Sequence, residues 1–142
     1  MPVSIDTAES DTAASSKSRL LTGRILSTLT ILFLIMDIVF KFIRPIPPQM
    51  MQSITQLGFQ PSLLTAIGIL LTICTVLYVI PATSVLGALL LTGYLGGAVS
   101  VQVRVGNPLF GYVLFPVYIG VLMWAGLCLR ESRLLALLPL RK

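Results

Sequence analysis

Four long apolar runs constrain this chain more than any other feature of its sequence. They cover about residues 20–43, 62–80, 84–103 and 112–129. Each run is close to the roughly 20 helical residues that cross a hydrocarbon core of about 30 Å. Membrane strands are not expected, because the runs are too long and lack alternating polar residues. The sequence therefore predicts an all-α membrane protein, a bundle of four transmembrane helices.

The composition agrees with this fold class. Of the 142 residues, 56% are hydrophobic and 11% are charged, and the mean hydropathy is +0.96. A soluble domain carries about a quarter charged residues, so this chain lacks the polar surface of one. We predict a single transmembrane domain over residues 19–142. Residues 1–18 are rich in Ser, Ala and Thr, and we predict a disordered tail there because so little apolar surface could be buried.

The longest connection, Arg44 to Ser62, predicts a short interfacial helix between the first two spans. Its prolines suit a first helical turn. Three apolar side chains then follow at helical spacing: Met50, Ile54 and Leu57. Three glutamines lie on the opposite face of the same predicted helix. An irregular loop is the alternative.

The positive charges predict the orientation in the membrane. Four spans put both termini on one side, where seven basic residues lie, against three on the other side: Lys17, Arg19, Arg24, Arg130, Arg133, Arg141 and Lys142 against Lys41, Arg44 and Arg104. The positive-inside rule then places both termini in the cytoplasm. The last residues, 130–142, predict a basic amphipathic segment on the inner leaflet. The net charge of +5 is thus explained by the lipid bilayer, and no nucleic-acid partner is expected.

The third run is unusually rich in glycine. Gly93 and Gly97 form a GxxxG pair, and small residues at such spacing let membrane helices approach closely. We therefore predict a helix-packing face made of Gly93, Gly96, Gly97 and Ser100. Arg104 continues this face, which predicts that it points toward the bundle near the outer boundary; snorkelling to headgroups is the alternative.

A polar cluster is predicted where the first and third spans end. Asp37, Lys41 and Arg44 are spaced four and three apart, so they share one side of a helix. An aspartate at bilayer depth costs about 2.5–3.5 kcal/mol, which disfavours a lipid-facing position. Lys41 and Arg104 are the available counterions. The predicted ligand-binding cluster comprises Asp37, Lys41, Arg44, Tyr94, Gln102 and Arg104.

Two interpretations of this cluster stay open. The Asp37–Lys41 pair could serve only to neutralise two charges and fix the helix. Alternatively, the cluster forms a pocket for a polar or anionic headgroup, such as that of a quinone or a lipid. Tyr118 and Trp124 in the fourth span are expected to be packing or interface anchors.

Several kinds of chemistry are not expected. The chain has no histidine, and Cys74 and Cys128 match no metal-ligand spacing. No nucleophile with a neighbouring base and no carboxylate pair is found. We therefore expect no metal site, no intrinsic cofactor and no stand-alone catalytic activity.

Four segments carry a family resemblance: "MDIVFKF" (36–42), "LYVIPATSVLGALLLTGYLGGAV" (77–99), "VRVG" (103–106) and "RESRLLALLPLR" (130–141). Over about residues 30–141 the chain resembles the DoxX-like family of small bacterial membrane proteins. The resemblance implies a four-helix bundle in the bacterial inner membrane. Relatives in the wider group include a small subunit of a thiosulfate:quinone oxidoreductase and members of oxidative-stress complexes.

The resemblance also implies which positions matter. The residues that match the family pattern are Asp37, Lys41, Gly93, Tyr94, Gly96, Gly97 and Arg104. The chain departs from that pattern at Ser100-Val101, at Ala82, where arginine is expected, and at Gln102, where histidine is expected. Without that histidine the motif lacks its titratable proton carrier.

Three functions remain open from the sequence. The first is an accessory membrane subunit of a redox or quinone-linked complex, with an oxidoreductase partner. The second is a small-molecule or lipid-binding carrier that uses the charged pocket. The third is a structural protein whose glycine face serves homo-oligomerisation.

Overall fold

A computed structural model describes residues 4–131 and 134, with side chains from residue 14 onward. The described chain is all-helical, which confirms the all-α part of the predicted fold class. Its helices are α1 (Ser4–Phe42), α2 (Pro48–Gln56), α3 (Leu63–Val79), α4 (Ser84–Arg104) and α5 (Phe115–Arg130). A 3₁₀ turn at Pro81–Thr83 precedes α4, and a π-helical turn at Leu109–Val113 precedes α5.

The N-terminal segment differs from the sequence-based expectation, and most of the C-terminal segment lies outside the described residues. Helix α1 begins at Ser4, so the segment expected to be a disordered tail is helical from that residue on. Neither proline nor glycine interrupts the sequence from Ser4 to Thr22, so the backbone of the first span can continue upstream. Residues 135–142, most of the expected amphipathic segment, lie outside the described residues.

Four helices form a square bundle with neighbouring helices antiparallel. Helix α1 packs against α3 and α5, and α4 packs against the same two, so α1 and α4 face each other across a diagonal. One end of the bundle holds the end of α3 and the start of α4, and we call it the terminal end. The other holds α2 and the ends of α1 and α4, and we call it the roof end.

The outer surface of the bundle is apolar. Large hydrophobic side chains are exposed along its helices, among them Leu21, Ile25, Leu29, Leu32, Ile69, Ile73, Leu86, Leu89 and Val121. Water would disfavour such a surface, whereas lipid solvates it. Within the described residues, three helical segments are long and apolar enough to cross a membrane: Ala14–Phe42, Pro81–Arg104 and Leu109–Arg130. Helix α3 is apolar as well but has 17 residues.

The bundle interior is organised around Tyr78 of α3, which is fully buried. Its hydroxyl lies 3.3 Å from Ser27 Oγ of α1 and 3.3 Å from the Met123 carbonyl oxygen of α5. Leu34 and Leu91 pack in the same core cluster. Tyr78 therefore links three of the four helices near the terminal end.

Glycines bring the helices into backbone contact at the terminal end. A Cβ on Gly87 of α4 would lie 2.2 Å from the backbone nitrogen of Tyr78, and one on Gly126 of α5 would lie 2.8 Å from Ser27 Oγ. A Cβ on Gly23 of α1 would lie 2.9 Å from Leu129 Cβ. Small residues thus permit close α3–α4 and α1–α5 packing, as membrane bundles require.

The glycines that the sequence singled out for packing are different ones. Among the described residues, nothing lies within 4 Å of a Cβ built on Gly93, Gly96 or Gly97. The Ser100 hydroxyl donates to the Gly96 carbonyl oxygen of its own helix at 3.0 Å. At these three glycines the predicted packing face therefore meets no neighbouring helix of the described residues. The physical reason is the helical period: at about 100° per residue, these glycines lie about 80–180° around α4 from Gly87, the glycine that faces α3.

Candidate functional site

A polar trio crosses the bundle interior near the roof end. Lys41 Nζ donates to Asp37 Oδ1 at 2.6 Å, one helical turn apart on α1. The Tyr94 hydroxyl of α4 lies 3.4 Å from Asp37 Oδ2, and the Lys41 ammonium lies 5.9 Å from the Tyr94 ring centroid. Because α1 and α4 are diagonal partners, these contacts pass through the centre of the bundle. The spacing of Asp37 and Lys41 along the helix predicted that they pair, and the structure shows this ion pair.

The trio is close to electrically neutral but keeps free hydrogen-bond donors. The side chain of Lys41 is 13% exposed, and its charge is balanced by Asp37. An ammonium group carries three N–H donors. In the described part of the chain Lys41 makes one hydrogen bond, to Asp37. The remaining donors are available to an acceptor atom on a bound molecule.

A cavity of about 420 Å³ lies beside this trio. Its polar lining comes from Lys41, Tyr94 and Gln102, and the rest of its wall is apolar. The apolar lining residues come from α3, from α4 and from the segment above them: Leu64, Ile67, Leu70, Gly93, Gly97, Ala98, Val101, Ile54, Leu57 and Phe59. The volume falls in the range of about 300–1,000 Å³ that small-molecule sites occupy.

Helix α2 and the turn after it, residues 48–59, form a roof over the cavity. The sequence predicted a short helix here with one apolar face, and α2 is that helix. Ile54 is 5% exposed and lines the cavity with Leu57 and Phe59, whereas Gln52 is exposed on the opposite side. The apolar face of the roof therefore points at the cavity.

Two arginines of the predicted cluster lie outside the cavity lining. Arg44 Nη2 donates to Thr65 Oγ1 of α3 at 2.9 Å. Arg104 Nη2 lies 3.6 Å from the position of a Cβ on Gly58, in the turn after α2. Both side chains are exposed at the roof end. Asp37 is paired by Lys41 rather than by Arg104, because the i, i+4 geometry on one helix already supplies the counterion.

The remaining predicted residue, Gln102, does line the cavity. Its side-chain oxygen accepts a hydrogen bond from Asn107 Nδ2 in the turn before α5. The structure therefore places Lys41, Tyr94 and Gln102 in the wall of one cavity, and Asp37 contacts the first two from outside that lining. Asn107 and Thr65 were missed by sequence reasoning; Asn107 stands in the Gly-Asn-Pro turn, where its partner could not be read from spacing.

A second polar group at the terminal end was also missed. The Arg130 guanidinium carbon lies 6.0 Å from the Tyr78 ring centroid, a cation–π distance. Arg130 Nη2 is buried and has no hydrogen-bond partner among the described residues. Of the expected anchors in the last helix, Trp124 donates through Nε1 to Thr92 Oγ1 at 2.9 Å. In the part of the chain that the structure covers, no group of three or more Cys, Asp or Glu side chains could hold a metal ion.

An apolar exterior, spanning-length helices and an internal cavity with a few polar groups define an integral membrane protein with a candidate binding chamber. The DoxX-like family model matches residues 25–126 of the chain. The chain therefore belongs to the DoxX-like family, and the family predicted from its motifs is confirmed. Searches of curated proteins and of solved structures return no match to this chain.

Proposed function

We propose that the protein binds a membrane amphiphile of the quinone type in the roofed cavity and acts as an accessory membrane subunit of a quinone-linked redox complex. The observation that carries the proposal is the cavity itself, in which Lys41 and Tyr94 present polar groups within an otherwise apolar wall. Such a chamber suits a molecule with one polar head and an apolar body.

The charge balance of the trio favours a neutral headgroup. Asp37 already neutralises Lys41, and its carboxylate would repel an anion brought to the same place. A quinone carbonyl is a neutral acceptor and can take a hydrogen bond from the free N–H groups of Lys41. A lipid phosphate also offers hydrogen-bond acceptors, but the Asp37 carboxylate would repel its negative charge.

An accessory role fits the residues of the chain and its family. The sequence contains no histidine to ligate a haem or to carry a proton. Electrons would then come from a partner oxidoreductase, and this subunit would hold the quinone in the membrane. Co-purification of an oxidoreductase partner in mild detergent would support this role. A monodisperse chain with bound quinone but no partner would indicate a carrier function instead.

We further propose four spans, with α3 as the short one. Its 17 residues extend about 26 Å, close to the hydrocarbon thickness of about 30 Å, and it packs between two longer helices. Helix α2 then lies at the outer interface, and the excess of basic residues near the termini places both termini in the cytoplasm.

Thiol labelling tests this topology in a background lacking Cys74 and Cys128. Gln52→Cys probes α2 and Ala82→Cys probes the α3–α4 turn; both sites are exposed. An impermeant maleimide added to intact cells is expected to label Gln52→Cys and to reach Ala82→Cys only after permeabilisation. If both cysteines were labelled from the same side of the membrane, α3 would not be a span. If only Ala82→Cys were labelled in intact cells, the termini would lie outside the cytoplasm.

Quinone binding tests the site. The purified protein is expected to bind a short-chain quinone in equilibrium dialysis. Tyr94→Phe should weaken binding by about threefold to tenfold, because it removes the hydroxyl that donates to Asp37 Oδ2 and so helps to hold the Asp37–Lys41 pair in place, a hydrogen bond of about 0.5–1.5 kcal/mol. Tyr112→Phe is the matched control, since Tyr112 is exposed and lies outside the cavity lining. Equal affinities for the two variants would remove Tyr94 from the site, and no binding by the wild type would overturn the proposal.

A further inference from the structure

We infer that the cavity receives its ligand sideways from the membrane, through an opening between α3 and α4 bounded by Leu70, Gly93 and Gly97. The inference rests on the proposed function and adds the ligand class to it: an amphiphile whose single long apolar chain remains outside in the lipid while its head lies beside Lys41.

The first support is that α3 and α4 touch at one end of the bundle and share the cavity wall at the other. Their backbones touch at the terminal end, where a Cβ on Gly87 would lie 2.2 Å from Tyr78 N. Ten residues further along α4, nothing among the described residues lies within 4 Å of a Cβ on Gly97, and the same holds for Gly93. Toward the roof end the cavity lies between the two helices, since Ile67 and Leu70 of α3 line it together with Gly93 and Gly97 of α4.

The second support is the exposure of the cavity wall. Gly93, Gly97 and Leu70 all line the cavity, and all three are exposed on the outer surface of the bundle. Leu70 is 53% exposed. Residues that line a cavity and also face outward mark the place where that cavity opens.

The third support is depth. Gly97 precedes Arg104, the last residue of α4, by seven residues, which corresponds to about 10 Å along the helix. Leu70 follows the first residue of α3, Leu63, by the same distance of about 10 Å. Both positions lie well below the helix ends, at the level of acyl chains in a core of about 30 Å.

Apolar residues of the roof line the cavity at the end that faces water. Ile54, Leu57 and Phe59 cover the cavity with apolar side chains at that end, and Ile54 is buried. A molecule arriving from water would have to displace this apolar cover, whereas a molecule arriving from lipid meets two residues without side chains. The geometry therefore selects ligands that are already dissolved in the bilayer.

The glycines make the inference testable without damage to the fold. A side chain at 93 or 97 would meet no described atom within 4 Å at its Cβ, so it can be added without a clash there. Gly96 offers a matched control, because it is equally open but lines a separate groove with Trp124 between α4 and α5. Gly97→Leu should narrow the opening, and Gly96→Leu should not.

The experiment uses the full chain in lipid nanodiscs and two quinones with the same ring, one without a tail and one with a long isoprenoid tail. We expect Gly97→Leu to lower affinity for the tailed quinone at least tenfold and to leave the tailless quinone within twofold of wild type. Gly96→Leu should change neither affinity. Thermal unfolding of both variants checks that the fold is retained, and Gly93→Leu repeats the test at a second position.

The possible failures are distinguishable. If wild type binds neither quinone, the proposed function is overturned. If wild type binds the tailed quinone and Gly97→Leu binds it equally well, only the side opening is overturned. If Gly97→Leu instead dissociates an oligomer that Gly96→Leu retains, with quinone binding unchanged, the glycine face belongs to a second copy and the opening is likewise overturned.

Discussion

Replacing Gly87 by alanine should separate the two helices that meet there. The added Cβ would lie 2.2 Å from Tyr78 N and 2.5 Å from Tyr78 Cα, where ordinary contact begins at 3.4 Å. Both neighbours are backbone atoms and cannot rotate away. Helices α3 and α4 would therefore have to move apart by about 1 Å in a tightly packed interior.

The magnitude follows from three contributions. Overpacking of this kind costs about 1–3 kcal/mol. A shift of Tyr78 also weakens its hydrogen bonds with Ser27 and Met123, each of which contributes about 0.5–1.5 kcal/mol. The higher helix propensity of alanine offsets about 0.5–1 kcal/mol of this loss in the free energy of unfolding. We expect Gly87→Ala to lower the free energy of unfolding by about 2–3 kcal/mol.

Gly93→Ala is the control, because it makes the same chemical change on the same helix. Nothing among the described residues lies within 4 Å of the new methyl group, so stability should stay the same or rise by up to about 1 kcal/mol. Unfolding of both variants by SDS titration in mixed micelles measures the difference. If Gly87→Ala were as stable as Gly93→Ala, the close contact of α3 with α4 would be refuted.

Three further predictions follow from single contacts. Tyr78→Phe should lower the free energy of unfolding by about 1 kcal/mol. The double variant Tyr78→Phe with Ser27→Ala should lose less stability than the sum of the two single variants, because both changes remove the same contact. Additive losses would refute the contact between Tyr78 and Ser27. Asp37→Asn should cost about 3 kcal/mol by leaving the Lys41 charge unpaired, and Lys41→Gln in the same chain should restore most of it in the same titration. The single tryptophan, Trp124, lines the groove between α4 and α5, so lipids brominated on their acyl chains should quench its fluorescence strongly; quenching by headgroup-linked bromine alone would contradict this depth.

The local features of the fold could be predicted from the sequence. Runs of apolar residues set the helices, and the spacing of Asp37 and Lys41 set their ion pair, because both depend on neighbours along one helix. The amphipathic pattern around Ile54 likewise predicted a short helix between the first two spans, and α2 is that helix. The start of α1 was missed, because a polar sequence without glycine or proline is compatible with either a tail or a helical extension.

The long-range features could not be predicted in the same way. A glycine pair such as Gly93 and Gly97 is compatible with close packing or with open space, and the choice depends on which face of the helix its neighbours cover. In α4 the covered face is the one with Gly87, which meets Tyr78, a residue on another helix. Arg104 shares a face with these glycines, yet its Nη2 lies 3.6 Å from the position of a Cβ on Gly58, in a turn whose location cannot be read from spacing along α4.

The contact at Gly87 also acts as a fulcrum for the α3–α4 hairpin. Gly97 lies ten residues beyond it, a lever arm of about 15 Å, so a rotation of about 4° at the fulcrum displaces Gly97 by about 1 Å. The contact itself would hardly change during such a rotation, whereas the inferred opening near Gly97 would widen or narrow by about a quarter of a methyl group's diameter of about 4 Å. If the cavity opens between α3 and α4 as inferred, packing at the terminal end would govern the width of an opening near the other end of the bundle.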